Sequence, residues 1–511
     1  MNTKYFKLLI VIILLTVPIS AYIDTYQTYD SIHQKYEIDN KILKLWKVAK
    51  PSIESSIKTI KKSPIELYFI GSETYNLLNY AFDKKDYLLV DELLQLYLNT
   101  LPFIKERKSC YIYDLNEKEE KSKKELKEPI YIWENSAKTE ELIPTAQFLF
   151  VISFAFNKIS HLPKTKQTIT MNRFIYKFSP ILSSHYRRWM LGVEERERKG
   201  KIGFFSRRGW GCKDKKDDYI YARTLTTSIK ELGENSYHGA SYCNVIADPS
   251  LLIVSGLGYY LGGVYNQGSS YTIKNQDSLI IAFKQSIQEI SKKFSIEKRK
   301  NSKNREIKLL TFQLGAWYGH PDYDYSGYRE ERFPDKDNQN AIKNIGVDTA
   351  HGTRILYLLE MLLSNKQYFN ISFPTQTDMQ MFTNNFLYNI FNHDFNNPLF
   401  HNYIDGSNGW FRVNYDSREG YGYAPFQIGS SGAMLGGYAK LAKYNRDVEK
   451  IFSILVEKLN SKNKQTEDFV KKFYQNAVWM NYQPREVYHF YAKEVDAKTA
   501  LYLISFYASL N

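Results

Sequence analysis

Apolar residues recur at three- and four-residue spacing along most of the chain, which predicts helices rather than strands. A stretch of strands with regular alternation is not found, although a short hairpin is expected around residues 409–416. We therefore predict a predominantly all-α fold. The predicted helices are 65–82, 87–104, 139–159, 171–195, 219–233, 248–265, 278–294, 348–365, 378–392, 430–445, 448–460, 467–481 and 497–510.

The N-terminal segment has the pattern of an export signal. Lys4 and Lys7 precede an apolar run from Leu8 to Tyr22, and a basic start followed by an apolar run is typical of such signals. Residues 1–23 are interpreted as a signal peptide or an uncleaved signal anchor, 24–60 as a juxtamembrane helical segment, and 61–511 as one domain. This predicts an extracytoplasmic protein, periplasmic or at the cell surface, which is secreted if the signal is cleaved.

Long loops rich in Gly, Tyr, Asp, Arg and Trp separate several helices, at 203–218, 315–333 and 401–426. Long ordered loops in a compact domain are usually functional. If the helices pair up and down, loops between successive pairs emerge on one face. This layout resembles the (α/α)-toroid carbohydrate-active proteins, which include polysaccharide lyases and some glycoside hydrolases. The resemblance implies about six helix pairs in a double ring and a substrate cleft at one end.

Three polar clusters are candidates for the chemistry of such a cleft. In the first, Asn235, Tyr237 and His238 follow a predicted helix end. The resemblance implies that an amide neutralises a uronate carboxylate while a histidine or tyrosine moves a proton. The alternative is a turn histidine bonded to the backbone.

The second cluster is at the start of the predicted helix 348–365. Asp348 is a suitable helix cap, and Asp348, His351 and Arg354 are three residues apart in succession, so they are expected nearly on one face of the helix. Asp348 could orient the imidazole of His351, and Arg354 could bind a carboxylate. The alternative is that Asp348 is only a cap and that the other two residues pack under a loop.

The third cluster is within the 401–426 loop. Its carboxylates suit general acid and base roles in a hydrolase, and its aromatic residues suit sugar stacking; ion pairs that only brace the loop are the alternative. We expect a catalytic role for Tyr423 and Asp416, and substrate binding by Trp410, Tyr415, Arg418, Glu419 and Tyr421.

Charge and composition limit the classes of ligand that we expect the chain to bind. The net charge is +14, and the chain has 42 Tyr. The charge favours an anionic glycan, while the tyrosines suit sugar rings or simply reflect an AT-rich genome. The lysine runs lack the interleaved aromatic residues of a nucleic-acid groove, so nucleic acid is not an expected partner. His320, Asp322 and Asp324 are residue types that could ligate a metal, but carboxylate-rich loops are more often only solvated, so we expect no cofactor and no metal.

The sequence therefore predicts a membrane-anchored enzyme that degrades or modifies an acidic polysaccharide, with β-elimination favoured. A hydrolase that uses Asp348, Asp416 and Glu419, or a glycan-binding protein without catalysis, are the alternatives. In the lyase, His238 or His351 is the base and Tyr423 or Tyr237 the acid.

Overall fold

The structure of the protein, a computed structural model, describes residues 37–107, 111–113, 123–125, 130–136, 140–193, 242, 245–267, 276–300 and 303–510. It is mostly helical, which confirms the predicted predominance of helix. The helices are α1 (37–59), α2 (Glu66–Asp83), α3 (Tyr87–Leu98), α4 (Leu142–Ser160), α5 (Ile169–Leu191), α6 (Asp248–Gln267), α7 (Gln276–Ser291), α8 (Thr349–Phe369), α9 (Gln376–Asn385), α10 (Gln427–Leu435), α11 (Arg446–Asn460), α12 (Lys464–Val470) and α13 (Ala497–Ala508).

The strands are short and pair only in small antiparallel sheets. They are β1 (Ile104–Arg107), β2 (Tyr111–Tyr113), β3 (Lys123–Glu125), β4 (Ile130–Trp133), β5 (Gly192–Val193), β6 (Phe294–Lys300), β7 (Glu306–Phe312), β8 (Val478–Met480) and β9 (Gln483–Arg485). The sheet orders are β1–β4, β3–β2–β5, β6–β7 and β8–β9. The sequence pattern predicts no strand at 294–312, where the β6–β7 hairpin lies.

Two kinds of helix make the core. α4 and α6 are buried around almost their whole circumference, whereas α11 buries one stripe that includes Val448, Ile451, Phe452 and Leu455. A helix with one apolar stripe covers a core, and a helix that is apolar all round lies inside one. α2 contacts α4, α4 contacts α6, α6 contacts α8, α8 contacts α10, α10 contacts α13, and α13 contacts α2.

The remaining helices lie against this set. α3 contacts α2 and α5, and α5 also contacts α4, α6 and α7. α5 runs without a break through Pro180, although a proline inside a helix favours an interruption. Glycines let α8 and α10 approach closely, because a Cβ on Gly432 would lie 2.7 Å from the Cα of Ala350.

The N-terminal part of the domain packs on the same core. α1 buries Ile42, Trp46 and Ile53, and its Trp46 indole donates a hydrogen bond to Glu92 at 3.0 Å. α1 lies within the segment predicted as juxtamembrane and helical. The predicted signal or anchor, residues 1–23, lies outside the described residues, as does the predicted helix 219–233.

One helix of the described part of the chain, α4, is long and apolar enough to cross a membrane by length and composition. Of its most apolar window, 89% is buried inside the protein. Its apolar character is therefore accounted for by core packing.

Candidate functional site

The start of α8 carries an aspartate–histidine pair. Asp348 precedes the helix and caps it, because its Oδ1 accepts the backbone N–H of His351 at 3.1 Å. Its Oδ2 lies 2.6 Å from His351 Nδ1. The Asp348 side chain is 1% exposed and that of His351 is 22% exposed. Because Nδ1 faces a carboxylate, we assign the proton of the neutral imidazole to Nδ1. Nε2 then has the free lone pair and can accept a proton from a substrate. We call these two residues the Asp348–His351 dyad.

Asp348 is held in its charged form by its surroundings. Burial alone would raise the pKa of Asp348, but the charges of His351 and Arg412 and the hydrogen bonds from His351 lower it below its usual value. Tyr323 donates a further hydrogen bond to Asp348 Oδ2 at 3.4 Å. Burial raises the pKa of Tyr323 well above its usual value, so this phenol stays a donor. Asp348 is thus an anion that orients the histidine rather than a proton donor.

Arg412 links two of the long loops beside the dyad. Its Nε donates to Asp322 Oδ2 at 2.9 Å, and its backbone N–H donates to the Asp322 carbonyl at 3.0 Å. Burial opposes the charge of Arg412, but Asp322 and Asp348 raise the pKa of its guanidinium. The side chain is 25% exposed. Arg412 is therefore a fixed cation that can still meet a ligand.

The Asp322 carboxylate is paired with Arg412, so it is not a free ligand for a metal ion in the 315–333 loop. His320 Nδ1 accepts the backbone N–H of Asp322 at 3.1 Å, and burial lowers the pKa of this histidine. In the part of the chain that the structure describes, no three His, Cys, Asp or Glu residues form a group that could hold a metal ion.

The 401–426 loop reaches the dyad in an unusual backbone conformation. Arg412 and Asn414 have φ angles of 56° and 55°, and Phe426 has 69°. Positive φ at such residues costs free energy and is concentrated at functional sites. The expected hairpin at 409–416 is instead a single bridge, Phe411 to Tyr423, with hydrogen bonds of 3.0 and 2.9 Å. This bridge pairs Tyr423 with Phe411, the residue before Arg412.

Aromatic rings and cations alternate along this loop. The ring of Phe411 lies 6.4 Å from the imidazole of His351 and 6.1 Å from the ring of Tyr423. The hydroxyls of Tyr421 and Tyr423 are 3.0 Å apart. Burial raises the pKa of Tyr423, and the neighbouring Tyr421 raises it further. Tyr423 is accordingly a phenol that can donate a proton but is a poor base.

Tyr415 and Arg418 complete this face of the loop. The guanidinium carbons of Arg412 and Arg418 lie 4.4 Å and 5.1 Å from the centre of the Tyr415 ring. Arg418 also lies 4.2 Å from the ring centre of Tyr421, and its side chain is exposed. The loop therefore presents a row of tyrosine rings and arginine cations next to the dyad.

Other predicted site residues lie elsewhere. Arg354 points into the helix bundle, where Nη2 donates to Tyr68 Oη at 2.8 Å and to Gln147 Oε1 at 3.4 Å. It is 8% exposed. The expectation that it shares a face with Asp348 overlooked the helix geometry, because six residues at about 100° each place it about 120° away.

Trp410 is fully buried, and its indole N–H donates to the Glu330 carbonyl at 2.7 Å. It is a core residue and cannot stack on a sugar in this conformation. Glu419 is exposed and accepts a hydrogen bond from Tyr482 at 2.7 Å. Asp416 lies in the 3₁₀ turn Tyr415–Ser417, and its side chain is outside what the structure describes.

The first predicted cluster, Asn235, Tyr237 and His238, lies outside the described residues. The second and third clusters, by contrast, meet through Arg412 and Phe411. Sequence reasoning did not single out Arg412 or Tyr323 as site residues. Arg412 is in the 401–426 loop, but its partner Asp322 is 90 residues earlier, and no spacing rule links the two.

The site thus combines an oriented histidine, a buried carboxylate, a fixed arginine and a protonated tyrosine. Such a set can abstract a proton next to a carboxylate and donate one to a departing oxygen. Comparisons of the chain with protein-family models, with curated proteins and with solved structures found no match.

Proposed function

We propose that this protein cleaves an acidic polysaccharide by β-elimination at the Asp348–His351 dyad. One observation carries the proposal: His351 is oriented by a buried carboxylate 2.6 Å away and its side chain is still 22% exposed, while the charge of Arg412 acts on the same carboxylate. A uronate supplies what this site could use, namely an acidic proton at C5 next to a carboxylate. The net charge of +14 favours such a substrate.

In the proposed reaction, His351 Nε2 removes the C5 proton of the uronate. The electron pair left at C5 forms the C4–C5 double bond, and the bond from C4 to the glycosidic oxygen breaks. Tyr423 donates its phenolic proton to that oxygen. Arg412 or Arg418 faces the uronate carboxylate and stabilises the negative charge that develops when the proton leaves.

Protonation states in the site support this division of roles. Asp348 has a lowered pKa and accepts from His351, so it assists a base. Tyr423 has a raised pKa and stays protonated, as an acid must. A hydrolase of the usual type needs two carboxyl groups that face the substrate. Asp348 is buried against His351, and Asp322 is bonded to Arg412, so these carboxylates suit that reaction less well.

We further propose an (α/α) toroid as the fold. The contacts from α2 through α4, α6, α8, α10 and α13 return to α2, as the inner ring of a toroid would require. In such a ring the dyad is at the N-terminal end of an inner helix, where the loops 315–333 and 401–426 also meet. The export signal predicted in residues 1–23 would place the enzyme outside the cytoplasm, held to a membrane if the signal is not cleaved.

The proposal is tested by incubating the protein with a panel of acidic polysaccharides and following the ultraviolet absorbance of the unsaturated uronate. We expect absorbance to rise with at least one substrate, and to rise at least about a hundredfold more slowly with His351→Gln. Trp410→Phe is the matched control: it keeps an aromatic core side chain and changes no group assigned to the reaction. No absorbance change with any uronate-containing glycan, or equal rates for His351→Gln, would refute the proposal.

A further inference from the structure

A cavity lined by charged residues lies about 18 Å from the dyad along α8, because Glu360 is twelve residues after Asp348 at about 1.5 Å per residue. The cavity has a volume of about 490 Å³. We call it the lysine cavity. Its lining includes Tyr75 and Asp83 of α2, Lys158 of α4, Glu360 of α8, and Lys440 and Lys443 of the turn that follows α10.

Lys440 is the unusual member of this lining. Its side chain is 7% exposed, and the nearest oxygen of Glu360 is 4.0 Å from its Nζ, beyond hydrogen-bonding distance. The ammonium lies 4.6 Å from the centre of the Tyr75 ring. Among the described residues, no acceptor lies within hydrogen-bonding distance of Lys440 Nζ. Burial lowers the pKa of this lysine, and the charge of Glu360 opposes that effect.

The other charged groups of the cavity already have partners. Lys443 Nζ is 3.0 Å from Glu360 Oε1, and Lys158 Nζ is 3.1 Å from Asp83 Oδ1. Glu360 is thus hydrogen-bonded to Lys443, whereas Lys440 stabilises it through charge alone, at 4.0 Å and without a hydrogen bond. If Lys440 served only to neutralise Glu360, a direct hydrogen bond between them would be expected.

Charge and size indicate what would satisfy Lys440. The lysines and carboxylates of the lining give one net positive charge, from Lys158, Lys440 and Lys443 against Asp83 and Glu360. A single negative charge fits this balance, whereas a phosphate dianion would meet two carboxylates. The rings of Tyr75, Phe154 and Tyr259 offer apolar surface, and the volume is within the range of small-ligand sites.

We propose that the lysine cavity binds a small carboxylate, whose oxygen completes the hydrogen bonding of Lys440 Nζ while its ring or chain packs on the tyrosines. This site is separate from the dyad and does not depend on the proposed elimination reaction. The carboxylate could be attached to a sugar or to an aromatic ring, and the two are distinguished by titrating with glucuronate and with benzoate.

The test is calorimetric titration of the full protein with glucuronate and benzoate, and with glucose and inorganic phosphate as comparisons. We expect saturable binding of at least one carboxylate, weakened at least about tenfold by Lys440→Met because a charged hydrogen bond is lost. Lys498→Met is the matched control, since Lys498 Nζ also lies over a tyrosine ring, 5.7 Å from Tyr488, but outside this cavity. Binding in that variant should match the wild type. Phosphate binding tighter than that of both carboxylates would contradict the proposal.

A second measurement on the wild type avoids any folding defect of Lys440→Met and locates the ligand. The protein is treated with acetic anhydride with and without saturating carboxylate, and acetylation of each lysine is measured by mass spectrometry. We expect the ligand to slow the modification of Lys440 severalfold and to leave Lys498 unaffected. Failure of both carboxylates to bind, or binding without protection of Lys440, would overturn the proposal.

Discussion

Asp348 caps helix α8 and orients the imidazole of His351, and replacing it with asparagine separates these two roles. Asparagine is as good a helix cap as aspartate, so its Oδ1 can still accept the His351 backbone N–H that lies 3.1 Å away. Its amide nitrogen, however, takes the place of the oxygen that is 2.6 Å from His351 Nδ1. An amide N–H in that position donates to Nδ1, which drives the imidazole proton onto Nε2. The variant should therefore fold with a histidine in the wrong tautomer.

Two magnitudes follow from this geometry. Loss of a base of this kind lowers kcat by about 10²–10⁴. Stability should fall far less, by about 1–3 kcal/mol, because one charged hydrogen bond is lost while the cost of burying a carboxylate is relieved. Asp348→Ala also removes the cap and should lose about 1 kcal/mol more, with a similar loss of activity.

The stability difference has a defined pH dependence. The folded pKa of Asp348 is lowered, so its contribution is fully present above the unfolded value of about 3.9. That contribution is lost as the pH falls through the folded pKa. Urea denaturation of wild type and Asp348→Asn should give a difference at pH 7 that shrinks below about pH 4.

The assay compares initial rates of unsaturated uronate formation with free energies of unfolding for the wild type and both variants. Retention of activity within about threefold in Asp348→Asn would refute the assigned tautomer, since the base role depends on it. A loss of stability that matches Asp348→Ala would show that the carboxylate matters chiefly to the fold.

Three further predictions concern the surroundings of the site and the core. Arg412→Lys keeps a cation but loses the Nε–H that meets Asp322 at 2.9 Å, so KM for an acidic substrate should rise about tenfold; an unchanged KM would argue against a binding role. Glu140 has a fully buried carboxylate that accepts hydrogen bonds from Arg188 of α5 at 2.7 and 2.9 Å. Burial opposes its charge, but Arg188 lowers its pKa to about 2, and Glu140→Gln removes this ion pair. The free energy of unfolding, measured by urea denaturation, should fall by about 3–5 kcal/mol at pH 7. This difference between wild type and variant should diminish as the pH falls from about 4.3 towards 2. Gly409→Ala would drive a Cβ into the Ser326 carbonyl and should lower stability by about 1–3 kcal/mol; a neutral effect on the thermal midpoint would contradict the close packing of the two loops.

Local chemistry in the sequence predicted part of the site. GVDTAHGTR contains a helix cap and a histidine three residues later, and this spacing alone brings Asp348 and His351 together at the first turn of α8. The helical periodicity likewise predicted most helices, because their burial follows a short-range pattern. Where two contacting residues lie within one helical turn, the sequence is sufficient to predict their contact.

Long-range contacts could not be read in this way. Arg412 meets Asp322 only because two loops pack together, and Trp410 is buried by residues from the 315–333 loop. In the β6–β7 hairpin, β6 has no buried position and the last four residues of β7 are all buried, so neither strand shows the alternation that predicts strands. The chemistry that links the clusters is therefore tertiary in origin.

The most direct test of the account is the chemistry of the new chain ends, measured by mass spectrometry after digestion of an acidic polysaccharide in oxygen-labelled water. Elimination by His351 and Tyr423 predicts a non-reducing end with a double bond and no label introduced by cleavage. Products that gain one labelled oxygen per break, with saturated ends, would identify hydrolysis and contradict the proposed role of the Asp348–His351 dyad.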